Sequence, residues 1–308
     1  MVIRQLQYLA ALARERHFGR AAKACNVSQP TLSAAIRQLE DEYGVPIVER
    51  GQRFVGLTPE GARVLDWAHR ILADCDALDQ EVAGLRGGLA GRLRLGVIPA
   101  ALPAISLLTG PFVAAHPLVN ITIVSQTSID IQRGLDSFAI DAGVTYLDNE
   151  PLINVRTQLL YRERYLFLTA EDGPFAGRRT LNWAEAASVP LCLLTPDMQN
   201  RRILDGIFRG VNQKPRPAVE TNSVVTLLSH VRFGGLSSVL PHPFLYLFGV
   251  PEGMRAIPLT SPAPTHEIGL AMADREPAPP LARALMDSAA TADLQVLVDR
   301  AAKRVKAS

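Results

Sequence analysis

The chain has 308 residues, of which 48% are hydrophobic and 20% charged, a composition typical of a globular protein with room for two domains. The net charge of +2 is too small to indicate nucleic-acid binding, and three widely separated cysteines without CxxC spacing argue against a disulfide framework or a zinc site. There is no apolar run long enough to span a membrane and no signal-peptide pattern at the start, so we expect a cytoplasmic protein without membrane partners.

The first elements along the chain predict a DNA-binding head. An amphipathic helix is predicted over residues 3–16 and an Ala-rich helix over 19–25. Ser28 stands where the N-cap of a third helix belongs, and Pro30 lies in its first turn. Two helices joined by a short turn, the second apolar on one side and polar on the other, are typical of a helix-turn-helix, whose second helix enters the major groove. The residues predicted to contact DNA on this helix are Ser28, Gln29, Pro30, Thr31, Ser33 and Arg37.

Two short apolar segments, 45–48 and 54–57, predict a hairpin of the kind that forms the wing of a winged helix. Arg50 and Arg53 flank its tip and are predicted to contact the DNA backbone or the minor groove. Residues 1–65 hold nine Lys and Arg against six Asp and Glu, so positive charge is concentrated on the head, as phosphate contacts require.

A long helix is predicted after the wing, capped by Thr58 with Pro59 in its first position. Its apolar residues follow a heptad pattern through Val64, Ala68, Ile71, Cys75, Leu78, Val82, Leu85 and Leu89. So narrow a stripe favours a partner helix, and we predict dimerisation through 64–89. The alternative is a single amphipathic helix that packs on its own globular domain.

From Arg92 onward, short apolar runs alternate with helical segments, which predicts an α/β domain with a parallel sheet and ligand sites at the carboxyl ends of strands. The predicted strands are 93–97, 121–124, 139–144, 165–168, 191–194, 218–220, 237–240 and 268–273. The predicted helices are 104–116, 129–138, 183–187, 201–210 and 223–233.

Polar residues at predicted strand ends and helix starts are candidates for binding a small molecule. Hydroxyl groups beside free N–H groups suit an anion, so an organic anion is the expected ligand. The alternative is that these residues only cap helices. The candidates are Thr127, Ser128, Gln199, Asn200, Asn222 and His242.

The chain resembles the LysR-type transcriptional regulators along essentially its whole length. The most specific matches are Ala21-Ala22, 27–33, Ile36, Leu39-Glu40, Gly44, Glu49-Arg50 and the Leu57, Thr58, Glu60 and Gly61 set. The resemblance implies a winged helix-turn-helix domain over 1–58, a dimerising linker helix and hinge over 59–90, and a two-lobed effector domain over 91–308, similar to periplasmic binding proteins. Lobe I would comprise about 91–160 and 267–308, and lobe II about 161–266.

Two positions depart from the family pattern. Ala34 stands where many members have Arg in the recognition helix, so one common DNA contact is absent. Ala100 lies in the segment after the first body strand where a Ser or Thr often holds the effector, and we include it among the candidate effector contacts.

We therefore expect a sequence-specific, effector-switched transcription regulator that forms dimers and, by resemblance to the family, tetramers. Double-stranded DNA, a small-molecule effector and RNA polymerase are its expected partners. Histidines and carboxylates are scattered without catalytic or metal-binding spacing, so we expect no enzyme activity, no metal and no cofactor. The alternative is a small-molecule-binding protein or enzyme on a two-lobed fold whose head serves protein contacts.

Overall fold

The computed structural model describes residues 1–49, 54–244 and 249–305, and omits the side chains of 86, 87 and 300–305. The chain divides into two compact units. The first consists of Met1–Gly87 with Ser137–Ala139, and the second of Gly88–Asp136 with Ile140–Ser308.

The first unit is a helical head with a long helix at its end. Its helices are α1 (Ile3–Glu15), α2 (Phe18–Ala24), α3 (Gln29–Tyr43) and α4 (Pro59–Gly87). Local side chains set two of the helix starts. His17 Nδ1 accepts hydrogen bonds from the N–H groups of Gly19 and Arg20 at the start of α2, and Ser28 Oγ accepts from Thr31 N–H at the start of α3. The Ser28 cap therefore fixes the end of the turn between α2 and α3, whereas the His17 cap fixes the start of α2.

The segment after α3 is held against the helices on both sides. Val48 and Leu57 form an isolated antiparallel bridge at the base of the predicted wing. A Cβ atom on Gly61 would lie 2.0 Å from the carbonyl oxygen of Ile47, so the first turn of α4 packs on this strand closely enough to require glycine. Arg50 and Arg53, predicted to flank the wing tip, lie outside the described residues.

The apolar stripe of α4 divides into two halves with different environments. Val64, Ala68 and Ile71 pack on the core of the head, with Ala68 fully buried. Leu78 and Leu85 are 63% and 83% exposed. The first half of the predicted heptad therefore packs on its own domain, which was the alternative to a partner helix. Only the second half, with Val82 40% exposed, presents an uncovered apolar stripe.

The second unit contains a five-stranded mixed sheet of order β2-β1-β3-β11-β4. Its strands are β1 (Ala90–Val97), β2 (Leu118–Ser125), β3 (Ala142–Tyr146), β4 (Val155–Glu163) and β11 (His266–Ala273). The first three strands are parallel, whereas β11 runs antiparallel to both β3 and β4. The helices that connect or follow these strands are α5 (Ser106–Ala115), α6 (Ser128–Asp136), α10 (Pro280–Thr291) and α11 (Leu294–Val305).

A four-stranded sheet of order β6-β10-β5-β9 and a two-stranded parallel sheet of β7 and β8 complete this unit. Their strands are β5 (Tyr165–Ala170), β6 (Leu181–Asn182), β7 (Cys192–Leu194), β8 (Val219–Thr221), β9 (Ser238–Pro241) and β10 (Met254–Thr260). The helices among them are α7 (Trp183–Ala187), α8 (Gln199–Gly210) and α9 (Val224–Phe233). The chain passes from the five-stranded sheet to the four-stranded one at Arg164 and returns between Thr260 and His266.

The prediction of a parallel sheet was therefore incomplete, because both larger sheets contain antiparallel pairs. Strands β4, β6 and β10 and helices α10 and α11 were not predicted. Strand β4 lies at the edge of its sheet and is exposed or half-buried over most of its length. Because few of its side chains are buried, apolar and polar residues do not alternate clearly along it, and the sequence pattern did not indicate a strand.

Candidate DNA-binding face and effector cavity

Helix α3 has one buried side and one polar side. Leu32, Ile36 and Leu39 are buried in the core of the head. On the opposite side the predicted DNA contacts Ser28, Gln29, Pro30, Thr31 and Arg37 are exposed and Ser33 is half-buried. The structure thus brings these predicted residues of α3 together on one accessible face.

The polar groups on this face differ in whether they already form hydrogen bonds within the protein. Ser28 Oγ accepts from Thr31 N–H at 3.3 Å and lies 2.8 Å from Thr31 Oγ1, so these two hydroxyls serve the helix cap. Arg37 forms no ion pair with the described part of the chain. Gln29 and Arg37 therefore remain the side chains predicted to read base edges, since Gln suits adenine and Arg suits guanine.

A small cavity lies in the second unit, where the ends of several strands meet the first turns of α6 and α8. Its volume is about 10 Å³, room for one group the size of a water molecule. Its lining residues are Ile98, Pro99, Ala100, Thr127, Ser128, Tyr146, Leu194, Met198, Gln199 and Asn200.

Five of the predicted effector contacts lie at this cavity: Ala100, Thr127, Ser128, Gln199 and Asn200. The structure places Asn222 and His242 elsewhere. Asn222 is exposed after β8. His242 is fully buried at the end of β9, and its Nδ1 accepts a hydrogen bond from the backbone N–H of Arg164 at 2.9 Å.

His242 therefore joins the end of β9 to the residue before β5, and it does not line the cavity. Its own backbone N–H donates to the carbonyl oxygen of Arg164 at 2.8 Å, which pairs the two backbones. Burial lowers the pKa of His242 to about 4, and the nearby Arg164 charge acts in the same direction. The imidazole is consequently neutral at physiological pH.

Thr127 and Ser128 are neighbours with different roles. Thr127 Oγ1 accepts from the N–H of Asp130 at 3.1 Å and donates to the Asp130 carboxylate at 2.7 Å, so it caps α6. Ser128 is 4% exposed, and its Oγ has no hydrogen-bond partner within the described residues. Capping thus explains Thr127 without a ligand but does not explain Ser128.

Two polar residues that were not predicted from the sequence lie at the cavity or directly behind it. Tyr146, at the end of β3, lines the cavity, and its hydroxyl accepts a hydrogen bond from Asn200 Nδ2 at 2.9 Å. The same hydroxyl donates to Glu163 Oε1 at 2.6 Å. Glu163 is fully buried at the end of β4, and burial raises its pKa to about 8, against the opposing effect of the Tyr146 hydrogen bond. The sequence signal that could have indicated Glu163 is its position between Tyr161 and Tyr165.

The two arginines of α8 do not offer a free positive charge to the cavity. Arg201 donates to Glu220, to Asp205 and to the carbonyl oxygen of Leu194. Arg202 makes a two-pronged contact with Glu150, at 2.7 and 2.5 Å. None of the lining residues carries a charged side chain.

Without a charged side chain, the attraction for an anion comes from Ser128 Oγ and Gln199 Nε2, donors without a partner in the described residues, and from the helix N-termini, the latter worth about 0.3–1 kcal/mol each and up to about 2 kcal/mol when partly buried. Asp130 already occupies the first turn of α6. Transfer of an anion into a buried site without a counter-ion costs several kcal/mol.

No group of three or more His, Cys, Asp or Glu residues suited to a metal ion occurs in the described ranges. The helices in the same ranges include none that is long and apolar enough to cross a membrane.

Comparison with known families decides the identity. Residues 3–62 match the family described as bacterial regulatory helix-turn-helix protein, lysR family, and residues 86–293 match the LysR substrate binding domain. The chain belongs to the LysR family. It is a DNA-binding transcriptional regulator with a C-terminal effector-binding domain, and not an enzyme.

Two similar regulators span most of this LysR-type chain. The DNA-binding transcriptional dual regulator OxyR of Escherichia coli is 32% identical to it over 282 residues, with 88% of each chain covered. The hydrogen peroxide-inducible genes activator of Haemophilus influenzae is 30% identical over 274 residues, covering 88% of this chain and 90% of that one.

Solved structures agree on the fold. A cysteine-to-aspartate variant of full-length OxyR from Pseudomonas aeruginosa is similar with a TM-score of 0.76 and 27% identity, covering 96% of this chain and 97% of that one. CbnR complexed with its target DNA is similar with a TM-score of 0.69 and 20% identity, covering 98% and 100%.

Proposed function

We propose that this LysR-type regulator acts in the cytoplasm and reads operator DNA with the exposed face of α3. Gln29 and Arg37 read base edges, while Ser28, Pro30, Thr31 and Ser33 position the helix on the backbone. The observation that supports this most directly is the division of α3, whose apolar residues are buried in the head while its polar residues face solvent.

The exposed half of α4 supports dimerisation. Leu78, Val82 and Leu85 form an uncovered stripe at heptad spacing, which burial against a second copy would remove from water. A dimer presents two recognition helices to two half-sites, which raises the overall affinity. By family resemblance, two dimers join through their effector domains into a tetramer.

The effector site is the cavity at the strand ends. Ala100 and Ser128 lie on one side of it, and Gln199 and Asn200 on the other, at the start of α8. A ligand controls DNA binding by preferring one of two arrangements of the protein, since it shifts an equilibrium only through different affinities for the two states.

Several curated relatives are named for hydrogen-peroxide-inducible genes. The cavity lining and the thiols of Cys25 and Cys192 favour a bound effector over thiol oxidation. None of the cavity-lining residues is a cysteine. Burial raises the pKa of the Cys25 and Cys192 thiols, which reduces the reactive thiolate fraction at neutral pH.

The test is a gel-shift titration of the full chain against genomic fragments at several salt concentrations. We expect tight, fragment-selective binding whose affinity falls steeply as salt increases. Equal affinity for all fragments would contradict sequence-specific regulation and favour a head used for protein contacts.

A further inference from the structure

The cavity lies between the two lobes of the effector domain. Lobe I contains the five-stranded sheet and contributes Ala100 and Ser128 to the lining, whereas lobe II contains the four-stranded sheet and contributes Gln199 and Asn200, at the start of α8. The cavity of about 10 Å³ between these residues has room for one group the size of a water molecule. A larger effector therefore fits only after the lobes have moved apart.

The first turn of α8 is bonded directly to lobe I at two places. Asn200 Nδ2 donates to the hydroxyl of Tyr146, at the end of β3, at 2.9 Å. Arg202 donates twice to the carboxylate of Glu150, in the segment after β3, at 2.7 and 2.5 Å. The first pair is buried, and the side chains of the second are 29% and 39% exposed. Both contacts join the lobes next to the cavity, so both must break when the lobes separate there.

The guanidinium of Arg202 is held on its own side of this contact. Its Nη1 donates to the carbonyl oxygens of Pro196 at 3.2 Å and of Asp197 at 2.7 Å, in the turn before α8. The fork of donors is therefore fixed in lobe II independently of Glu150, and little side-chain freedom is lost when the ion pair forms. Hydrogen bonds from Arg202 lower the pKa of Glu150, so this carboxyl group is ionised at neutral pH.

The neighbouring arginine shows that a carboxylate from the other lobe is not needed to fold α8. Arg201 donates to Asp205, to Glu220 and to the carbonyl oxygen of Leu194, all within lobe II. A contact that stabilised only the helix would lie within the same lobe, as these do. The contact between Arg202 and Glu150 instead stabilises one position of lobe II relative to lobe I.

We propose that the ion pair of Arg202 with Glu150, together with the hydrogen bond of Asn200 to Tyr146, is a latch that holds the lobes closed over the effector cavity. The inference rests on the proposed function, which places the effector at this cavity. The effector enters when the latch opens. Its apparent affinity is therefore reduced in proportion to the fraction of molecules whose lobes are open.

The test measures the distance between the lobes by pulsed electron paramagnetic resonance on the full chain. Spin labels are attached through Ala114→Cys in α5 of lobe I and Ser229→Cys in α9 of lobe II, both exposed positions. Cys25→Ser and Cys75→Ser remove the two half-buried thiols, and Cys192 is fully buried. An excess of unlabelled chain removes distances between copies. We expect a single narrow distance distribution when the latch is intact.

Arg202→Ala and Glu150→Ala should each raise the ratio of open to closed molecules at least about threefold, because a two-pronged ion pair is stronger than an ordinary exposed one. The double variant should open no further than either single variant, since both substitutions remove the same contact. Arg156→Ala is the matched control. It removes an arginine that pairs with Asp274 and Glu276, both within lobe I, and should leave the distances unchanged.

Distances in Arg202→Ala and Glu150→Ala equal to those with the latch intact would overturn the proposal, as would lobes that are already mostly open with the latch intact. Circular dichroism shows whether each variant is folded. If Arg202→Ala lost helix, Glu150→Gln, which removes the charge but keeps the size of the side chain, would answer the question by itself. Gel shifts with unlabelled wild type keep the two questions separate, because loss of fragment-selective DNA binding there would count against the proposed function alone.

Discussion

Glu40 on the recognition helix accepts two hydrogen bonds through one carboxylate oxygen, from the backbone N–H of Ile47 at 2.8 Å and from that of Val48 at 3.0 Å. Ile47 is fully buried, so its amide has no access to water. The pair therefore ties the segment at the base of the wing to α3, the helix proposed to read DNA.

Loss of this contact should loosen the strand without unfolding α3. In Glu40→Ala, the two amides lose their acceptor, at a cost of about 1–3 kcal/mol for each buried group. We expect faster hydrogen exchange in a peptide covering residues 45–49, measured by mass spectrometry. Glu40→Gln keeps an oxygen acceptor and should exchange close to the wild-type rate. Equal exchange in wild type and Glu40→Ala would show that the strand is held by other contacts.

Arg37→Ala should weaken binding to a selected operator fragment by about 10- to 100-fold, because a bidentate contact with guanine contributes about 1–3 kcal/mol. Selectivity between fragments should fall with it. The matched control is Arg14→Ala, which removes an exposed arginine of α1 that pairs with Glu15. Gel-shift titration measures both, and an equal effect of the two substitutions would mean that Arg37 contributes charge and not base recognition.

Replacement of Leu78 and Leu85 by Asp should convert the protein to smaller species in light scattering, because two charges would have to be buried in the dimer contact. The exposed positions allow this change without disturbing the head. Val225→Asp, 77% exposed on α9, is the control and should leave the mass unchanged. An unchanged mass in the double variant would show that α4 does not form the dimer.

Ile71→Asp is not an equivalent test, although it belongs to the same heptad. Ile71 packs on the core of the head, so the substitution introduces a charge into that core. We expect it to lower the melting temperature of the protein before any effect on assembly is measured. A variant that melts like wild type and forms monomers would show that Ile71 faces a partner helix.

Thr127→Ala and Ser128→Ala should differ in stability although the residues are neighbours. Thr127 caps α6 through Asp130, and loss of such a cap costs about 1 kcal/mol. Ser128 Oγ has no partner among the described residues, so its removal should cost less. Chemical denaturation followed by circular dichroism measures both. An equal loss in the two variants would assign Ser128 a structural contact.

The raised pKa of Glu163 makes the free energy of unfolding decrease as pH rises. Its pKa is about 8 in the folded protein, above the ordinary value of a carboxyl group, so the folded state binds the proton more tightly. This contribution is fully present below the unfolded-state pKa, near 4.3, and is lost as pH rises through about 8.

Glu163→Gln, which is neutral at every pH, removes that dependence. We expect the melting temperature of the variant relative to wild type to increase between pH 5 and pH 9. Tyr146→Phe is a companion variant that keeps Glu163 but removes its hydrogen-bond donor. A constant difference between wild type and Glu163→Gln over this range would show that Glu163 does not take up a proton on folding.

Much of the head was predictable because its signals are local. Ser28 and Thr58 cap helices through contacts with residues three positions along, and the apolar stripe of α3 reflects a period of 3.6 residues. The family resemblance supplied the two-domain organisation and the two-lobed body. The heptad of α4 predicted an apolar stripe but not which half of it the head already covers.

The residues that reach the cavity could not be predicted from local sequence signals. Thr127 and Ser128 give the same signal in a sequence, a hydroxyl beside a helix start, yet one is a cap and the other is buried without a partner among the described residues. Asn200 and Asn222 also precede helices, but only Asn200 reaches the cavity. Capping is decided within four residues, whereas access to the cavity depends on how whole strands are arranged.

By itself, the sequence determined the elements whose partners lie a few residues away: the caps, the amphipathic helices and the polar face of α3. Only the tertiary structure decided that Tyr146, Glu163 and Asn200, which are up to 54 positions apart, form one hydrogen-bonded chain at the cavity. It also decided the pKa of Glu163, because burial depends on residues from several strands and not on neighbours in sequence. Local hydrogen bonds and periodicity are encoded along the chain, whereas desolvation and long-range pairing arise only when distant segments pack together.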